Sequence, residues 1–294
     1  MSDLQIIQDL KKEVPNLKCC FHQDECFSLS LFNDDYLWGG LARHSKSKKK
    51  LVSLISKLPN LIHLNLSKNC FGFIENLNLP KLKYLDLSSN YMGKIPEWIK
   101  GLDLIYLNLG VNEIESVPDW FLCFKNLRTL KLHKNKIRSL PNLTSCQEIR
   151  FLNLYLNKLK SIPSFVWQLL NLEFFSWGIS GINEISHEIG NLSKLCWLSV
   201  VATNITSLPD EICLLTNLLG ARLHKNKIRF LPENIGFLTN LKELTLYNND
   251  IEFLPQSFFN LKLAKLNLAG NKIKNVYLNS RWECSEISDN FWYK

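Results

Sequence analysis

The sequence predicts an α/β solenoid: about ten short units stacked so that their strands form one parallel β-sheet, with short helices or 3-10 turns on the opposite face. Three observations carry this. The string Leu-x-x-Leu-x-Leu-x-x-Asn recurs, most clearly at Leu82 to Asn90, Leu127 to Asn135 and Leu241 to Asn249. Its last position falls at Asn69, Asn90, Asn112, Asn135, Asn157, Ser180, Thr203, Asn226, Asn249 and Asn271, at steps of 21 to 23 residues. Proline follows six residues later at Pro96, Pro118, Pro141, Pro163, Pro209, Pro232 and Pro255. A fixed period of this length means stacked units, because one unit cannot bury its own apolar edge.

Each element follows from the period. The fourth and sixth positions of the string are apolar and alternate with variable residues, as in a short half-buried strand. The asparagine at the ninth position predicts an inward amide that bonds the peptide groups at the strand exit. Leaving such a group unpaired costs on the order of 1–3 kcal/mol. Ser180 and Thr203 break this column in two consecutive units, and a hydroxyl offers fewer donors than an amide. Proline, with its fixed φ and missing N–H, suits the start of a short turn or helix on the far side.

These motifs resemble the leucine-rich repeat family over roughly residues 51–276. The leucine-proline, short helix, asparagine-leucine style looks like the bacterial and scaffold-type intracellular classes. The resemblance implies a right-handed horseshoe with its sheet on the concave face. It also implies protein binding, by a bacterial effector acting on a host protein or by an endogenous signalling scaffold or phosphatase regulator.

Residues 1–50 are expected to form an N-terminal helical cap, 51–276 the array, and 277–294 a C-terminal cap or tail. Ser2 and Gln5 read as a capping box opening an amphipathic helix with Leu4, Ile7, Leu10 and Val14 on one face. Cys26-x-x-Leu29-x-Leu31-x-x-Asp34 reads as a degenerate first copy. The basic run Arg43 to Lys50 reads as a solvated loop before a helix starting near Leu51, with a nuclear address or a phosphate- or lipid-binding patch as the alternatives. The tail holds Glu283, Glu286 and Asp289, then Phe291, Trp292 and Tyr293, a cap or an export signal.

Composition narrows the function. The chain has 294 residues, 46% of them apolar, and a net charge of +8, a mild bias toward acidic partners. No apolar run is long enough to span a bilayer. The first residues lack the features of a cleaved signal peptide. The expected location is cytoplasmic, or the host cytosol for an effector. Nine cysteines without a Cys-x-x-Cys pair suggest reduced thiols, with Cys70, Cys123, Cys146, Cys196 and Cys213 as small buried residues and Cys19, Cys20 and Cys26 in the cap. His187-Glu188 lacks the second histidine of a zinc-protease motif, because Asn191 stands in its place. No phosphate-cradling loop is visible. No enzyme activity, metal or cofactor is expected, and the chain is expected to be a monomer.

The third, fifth, seventh and eighth positions are expected to point out of the concave sheet. There the middle units place Phe151, Tyr155, Leu156, Phe174, Ile179, Trp197 and Val201, an apolar cluster that marks an interaction surface. Two basic clusters, Lys131, His133, Lys134 and Arg222, His224, Lys225, bracket it in sequence four units apart, a spacing of roughly 20 Å at strand separation. Tyr84, Tyr106, Glu243 and Tyr247 complete the candidate surface. The expected ligand is a protein or peptide with an apolar centre and acidic flanks, rather than nucleic acid. The basic run and concave lysines keep an anionic nucleic acid or lipid as the alternative.

Overall fold

The computed structural model describes residues 2–13, 17–22, 25–31, 45–74 and 76–274, with the backbone alone for 22 and 45–48. The chain falls into two compact units, Met1–Ile149 and Arg150–Lys294.

The first unit opens with helix α1 (Asp3–Glu13) and an antiparallel pair, β1 (Lys18–His22) and β2 (Glu25–Ser30). Helix α2 (Ser45–Ile55) leads into β3 (His63–Asn65), β4 (Tyr84–Asp86), β5 (Tyr106–Asn108) and β6 (Thr129–Lys131). From β2 to β6 the strands pair in chain order, all parallel. The second unit holds β7 (Phe151–Asn153), β8 (Phe174–Gly178), β9 (Trp197–Val201), β10 (Gly220–Arg222), β11 (Glu243–Thr245) and β12 (Lys265–Asn267). These too pair in parallel and in chain order. In register the third position faces the third position of the next repeat throughout, as in Tyr84↔Tyr106 and Phe174↔Trp197.

The core is the leucine pattern made solid. Leu85, Leu87, Leu107 and Leu109 are fully buried in the first unit, and Leu198, Leu223, Leu244 and Leu246 are buried in the second. Each such side chain contributes roughly 1.5–3 kcal/mol on leaving water. The proline column caps short 3-10 turns, with Pro96, Pro118, Pro163, Pro209 and Pro255 each preceding one. In the repeats of Pro141 and Pro232 the cap passes to Asn142 and Asn234.

The asparagine ladder performs its backbone role. Asn90 Oδ1 accepts from the Asn69 and Phe71 amides at 3.1 and 3.2 Å. Its Nδ2 donates to the Leu66, Leu87 and Ser88 carbonyls at 2.8, 3.0 and 3.2 Å. Asn112, Asn226 and Asn249 repeat the arrangement.

Several expectations change at the amino-terminal end. Only half of the capping box forms: the Gln5 amide donates to Ser2 Oγ, but the Gln5 side chain reaches Asp9 instead. The buried face of α1 is Ile6, Ile7 and Leu10, whereas Leu4 is exposed, because the tighter packing selects the stripe one residue over. Helix α2 begins at Ser45, not near Leu51, so the basic run is helical from its third residue onward. Lysine is a good helix former and nothing in the run breaks a helix. The string around Cys26 supplies β2, with Leu29 paired to Leu64 in the same register as the later repeats. Val14, Asp34, Arg43, His44 and the tail from Ser280 lie outside the described residues.

Candidate functional site

The concave columns are less open than their alternation predicts. Third-position rings lie along the sheet and cover their neighbours, so they are half-buried. In the second unit Phe151 and Phe174 stack with centroids 4.0 Å apart and planes within 5°. The Trp197 ring lies over Gly220, where an added Cβ would come within 2.3 Å of it. The Arg222 guanidinium sits 4.9 Å from the Trp197 centroid, a cation–π contact. The result is one ridge from Phe151 through Phe174 and Trp197 to Arg222.

Seventh-position residues divide by size. Gly178 lies under Tyr155, and its added Cβ would stand 2.3 Å from the Val201 carbonyl oxygen. Val201 is buried, which corrects its place on the exposed face: β9 continues through it, so its side chain packs into the sheet floor. Ser176 and Gly178 are buried as well, and form a small-residue floor beside the ridge. His224 and Tyr247 stack at 4.3 Å.

The eighth position holds a feature the pattern alone does not display. Every residue there has positive φ, including Lys134, Leu156, Ile179, Ala202, Lys225 and Asn248. Asparagine and glycine adopt this region readily, and a β-branched residue does so at a cost. Ile179 sits there at φ 54 with 47% of its surface exposed. Leu156, at φ 60, occupies the same column one repeat earlier.

The fifth position is partly occupied by a structural task. Asn153 and Asn267 accept from the amide two residues on, at 3.1 and 3.0 Å, and Asn65, Asp86 and Asn108 do the same in the first unit. These are Asx turns that end those five strands. Ser176 and Ser199 take that position in β8 and β9, and there the pairing runs on through Trp177↔Val200 and Gly178↔Val201.

The break in the ladder has a local cause. Trp177 replaces leucine at the sixth position and is buried. Its indole N–H donates to Ser180 Oγ at 2.6 Å. Asparagine at 180 would be longer and would already be committed to backbone groups. Serine gives the ring space and an acceptor. Thr203 keeps its link to the next rung, with both its amide and its hydroxyl donating to Asn226 Oδ1 at 2.8 and 2.5 Å.

The basic clusters carry less charge than their composition suggests. Burial, then Lys225 and Arg222, hold the His224 imidazole down at about 4, so it is neutral at pH 7. Arg222 Nε donates to Glu243 Oε1 at 3.2 Å, and Lys265 lies 3.6 Å from the same oxygen. Glu243 thus partly offsets the arginine. In the first unit burial likewise depresses His133, whose ring lies over Gly110. There Lys131 lies 5.2 Å from the Tyr106 centroid, Lys134 is exposed, and Tyr84 stacks on His63 at 4.2 Å. The predicted residues therefore gather into two sets, one in each unit. Tyr84, Tyr106, Lys131, His133 and Lys134 belong to the first, and the remainder to the second.

The scattered cysteines are not uniformly buried: Cys146 and Cys213 are, but Cys70 and Cys123 are exposed, since they fall on turns and not in the apolar stripe. In the cap, burial pushes the Cys26 thiol up to about 12. His187–Asn191 is a 3-10 turn capped by Ser186, and no cluster of three His, Cys, Asp or Glu side chains suited to a metal occurs among the described residues.

Sequence families agree with this architecture. The leucine-rich repeat region model matches residues 126–249, a two-copy leucine-rich repeat model 59–100, and a single-repeat model 240–261. The chain belongs to the leucine-rich repeat family. Toll-like receptor 2 type-1 of Gallus gallus is 37% identical over 101 residues, 34% of this chain but only 12% of that protein. A leucine-rich repeat protein of Leptospira interrogans is 25% identical with a TM-score of 0.56, covering 75% of each chain. The leucine-rich repeat ectodomain of a plant membrane receptor kinase of Arabidopsis thaliana, in complex with Casparian strip integrity factor 2, is 26% identical with a TM-score of 0.61. That match covers 76% of this chain and 34% of the receptor's. Leucine-rich repeats are protein-interaction modules, and no helix among the described residues is long and apolar enough to cross a membrane.

Proposed function

We propose that the ridge of Phe151, Phe174 and Trp197, with Tyr155, Leu156 and Ile179 along its side, binds a protein or peptide with an apolar centre and an acidic group facing Arg222 and Lys225. Glu243 and Tyr247 would make the surrounding contacts. Ile179 carries this reading. It is a large apolar side chain held exposed in a backbone region that disfavours it, at a position where most other repeats use Lys, Ser, Ala, Asn or Gly, and its neighbour in that column, Leu156, extends the apolar strip beside the ridge; Val111 takes the position in the first unit. Strain kept at an exposed site is a hallmark of contact surfaces. Aromatic residues beside it supply the desolvated area that dominates binding energy. Lysine and arginine would orient the ligand and speed its arrival.

The finer reading is an effector delivered by a bacterium into the host cytosol, acting as a monomer without enzymatic activity. The leucine-proline repeat style and the likeness to the Leptospira interrogans protein support it. The test is capture from host-cell lysate. Wild type retains one dominant protein, and a Phe151→Ala, Phe174→Ala, Trp197→Ala variant that stays folded by circular dichroism loses it. Undiminished capture by the triple variant removes the ridge from consideration.

A further inference from the structure

We propose a second contact site, in the first unit: the outer face of α2 with the turn at Phe73 and Asn76 docks on an anionic lipid bilayer. From Ser45 to Asn60 the chain carries Lys46, Lys48, Lys49, Lys50 and Lys57 and no acidic residue. Leu51, Leu54, Ile55 and Leu58 turn inward and are buried. Lys49, Ser53 and Lys57, spaced by four, are exposed on the other face. Lys50 is taken by Glu13 at 2.6 Å. Among the described residues no carboxylate pairs with Lys49 or Lys57. Both line a cleft of about 670 Å³ whose opposite wall is Phe73 and Asn76.

Phe73 gives the site its apolar element. It is 63% exposed. A tight turn presents it: Gly72, at φ +63, donates to the Asn90 carbonyl at 2.6 Å, and the Phe73 amide donates to Phe71 at 2.6 Å. This is the one regular repeat before the proline column begins, so its turn is free to project a ring. Two exposed lysines, donor side chains and one exposed ring converge on a single cleft. That suits headgroup phosphates met by lysine while the ring enters the interfacial layer. A single-stranded nucleic acid asks for something else, a cationic track with several stacking rings.

Sedimentation of the full chain with vesicles tests the site. Vesicles of phosphatidylcholine with about one fifth phosphatidylserine should pellet it, and phosphatidylcholine alone should not. Each lysine near such a surface is worth about five-fold in partitioning, so Lys49→Ala/Lys57→Ala should lose about 25-fold. Phe73→Ser should weaken binding further. Lys158→Ala/Lys160→Ala, which removes the same charge from the second unit, should bind as wild type does, and melting curves confirm that each variant is folded. Equal loss in the two double variants would reduce the effect to net charge and overturn the proposal. So would failure to bind anionic vesicles, or tighter binding of inositol hexakisphosphate or a single-stranded oligonucleotide than of the vesicles.

Discussion

Within the second unit, β8 and β9 differ from β10 and β11. The latter pair are three residues long, end in Asn226 and Asn249, and carry leucine at the sixth position. The former are five residues long, end in Ser180 and Thr203, and carry Trp177 and Val200 there. The regular repeats turn sharply because amide side chains tie up the exit peptides. In β8 and β9 the sheet ladder itself continues to Val201. Longer strands carry the pairing past Ser176 and Gly178, beside the aromatic ridge. The departures from the repeat thus coincide with the ridge proposed above as the contact surface, and the hydrogen bond from Trp177 to Ser180 takes the place of the lost rung.

The comparison can be broken at several points. Trp177→Ala should cost the most, about 3–5 kcal/mol in chemical denaturation, since it empties a buried indole site. Ser180→Asn alone should destabilise by about 1–3 kcal/mol by leaving the indole N–H without an acceptor. Combined with Trp177→Leu, it should recover stability through a favourable coupling of about 1 kcal/mol or more, as the regular repeat is restored. Gly178→Ala should cost about 1–3 kcal/mol, because the new methyl meets the backbone oxygen of Val201. Gly220→Ala meets the Trp197 side chain first, not backbone, so it should move stability less and partner affinity more.

In β10 the buried His224 gives a pH signature. Its folded pKa lies near 4, below the unfolded value of about 6.5, so the unfolded chain binds the extra proton. Its contribution is fully present above pH 6.5 and fades as the pH falls toward 4. The loss should be on the order of 1–2 kcal/mol after allowance for partial exposure. Equilibrium unfolding from pH 7 to 4.5 should show this slope, and His224→Phe should flatten it. His133 and His63, also depressed by burial, add to the slope in the same direction.

Much of this was legible in the residues. The period located every strand from His63 onward, and the proline column located the turns. The break at Ser180 was visible, but its reason was not, because the bond from Trp177 needs the fold to bring the two side chains together. Exposure was the poorest reading. Alternation says which way a side chain starts, not whether it then lies down over a glycine, as Trp197 does over Gly220. A glycine in a column of rings was the available signal. Charge failed for the same reason: His224 and Arg222 look basic in sequence, and only burial and Glu243 show how little of that charge is presented. The positive φ of the eighth column has no mark in sequence beyond the Asn248 and Gly270 that occur there.

Ile179→Asn tests the central claim most directly, by measuring melting temperature and affinity for the captured partner on the same protein. Asparagine relaxes the left-handed backbone, so stability should rise by about 0.5–1 kcal/mol, roughly 1–2 °C. Affinity should fall by about ten-fold, because the exposed side chain is there for the ligand. A variant that gains no stability, or that binds as tightly as wild type, would contradict the account.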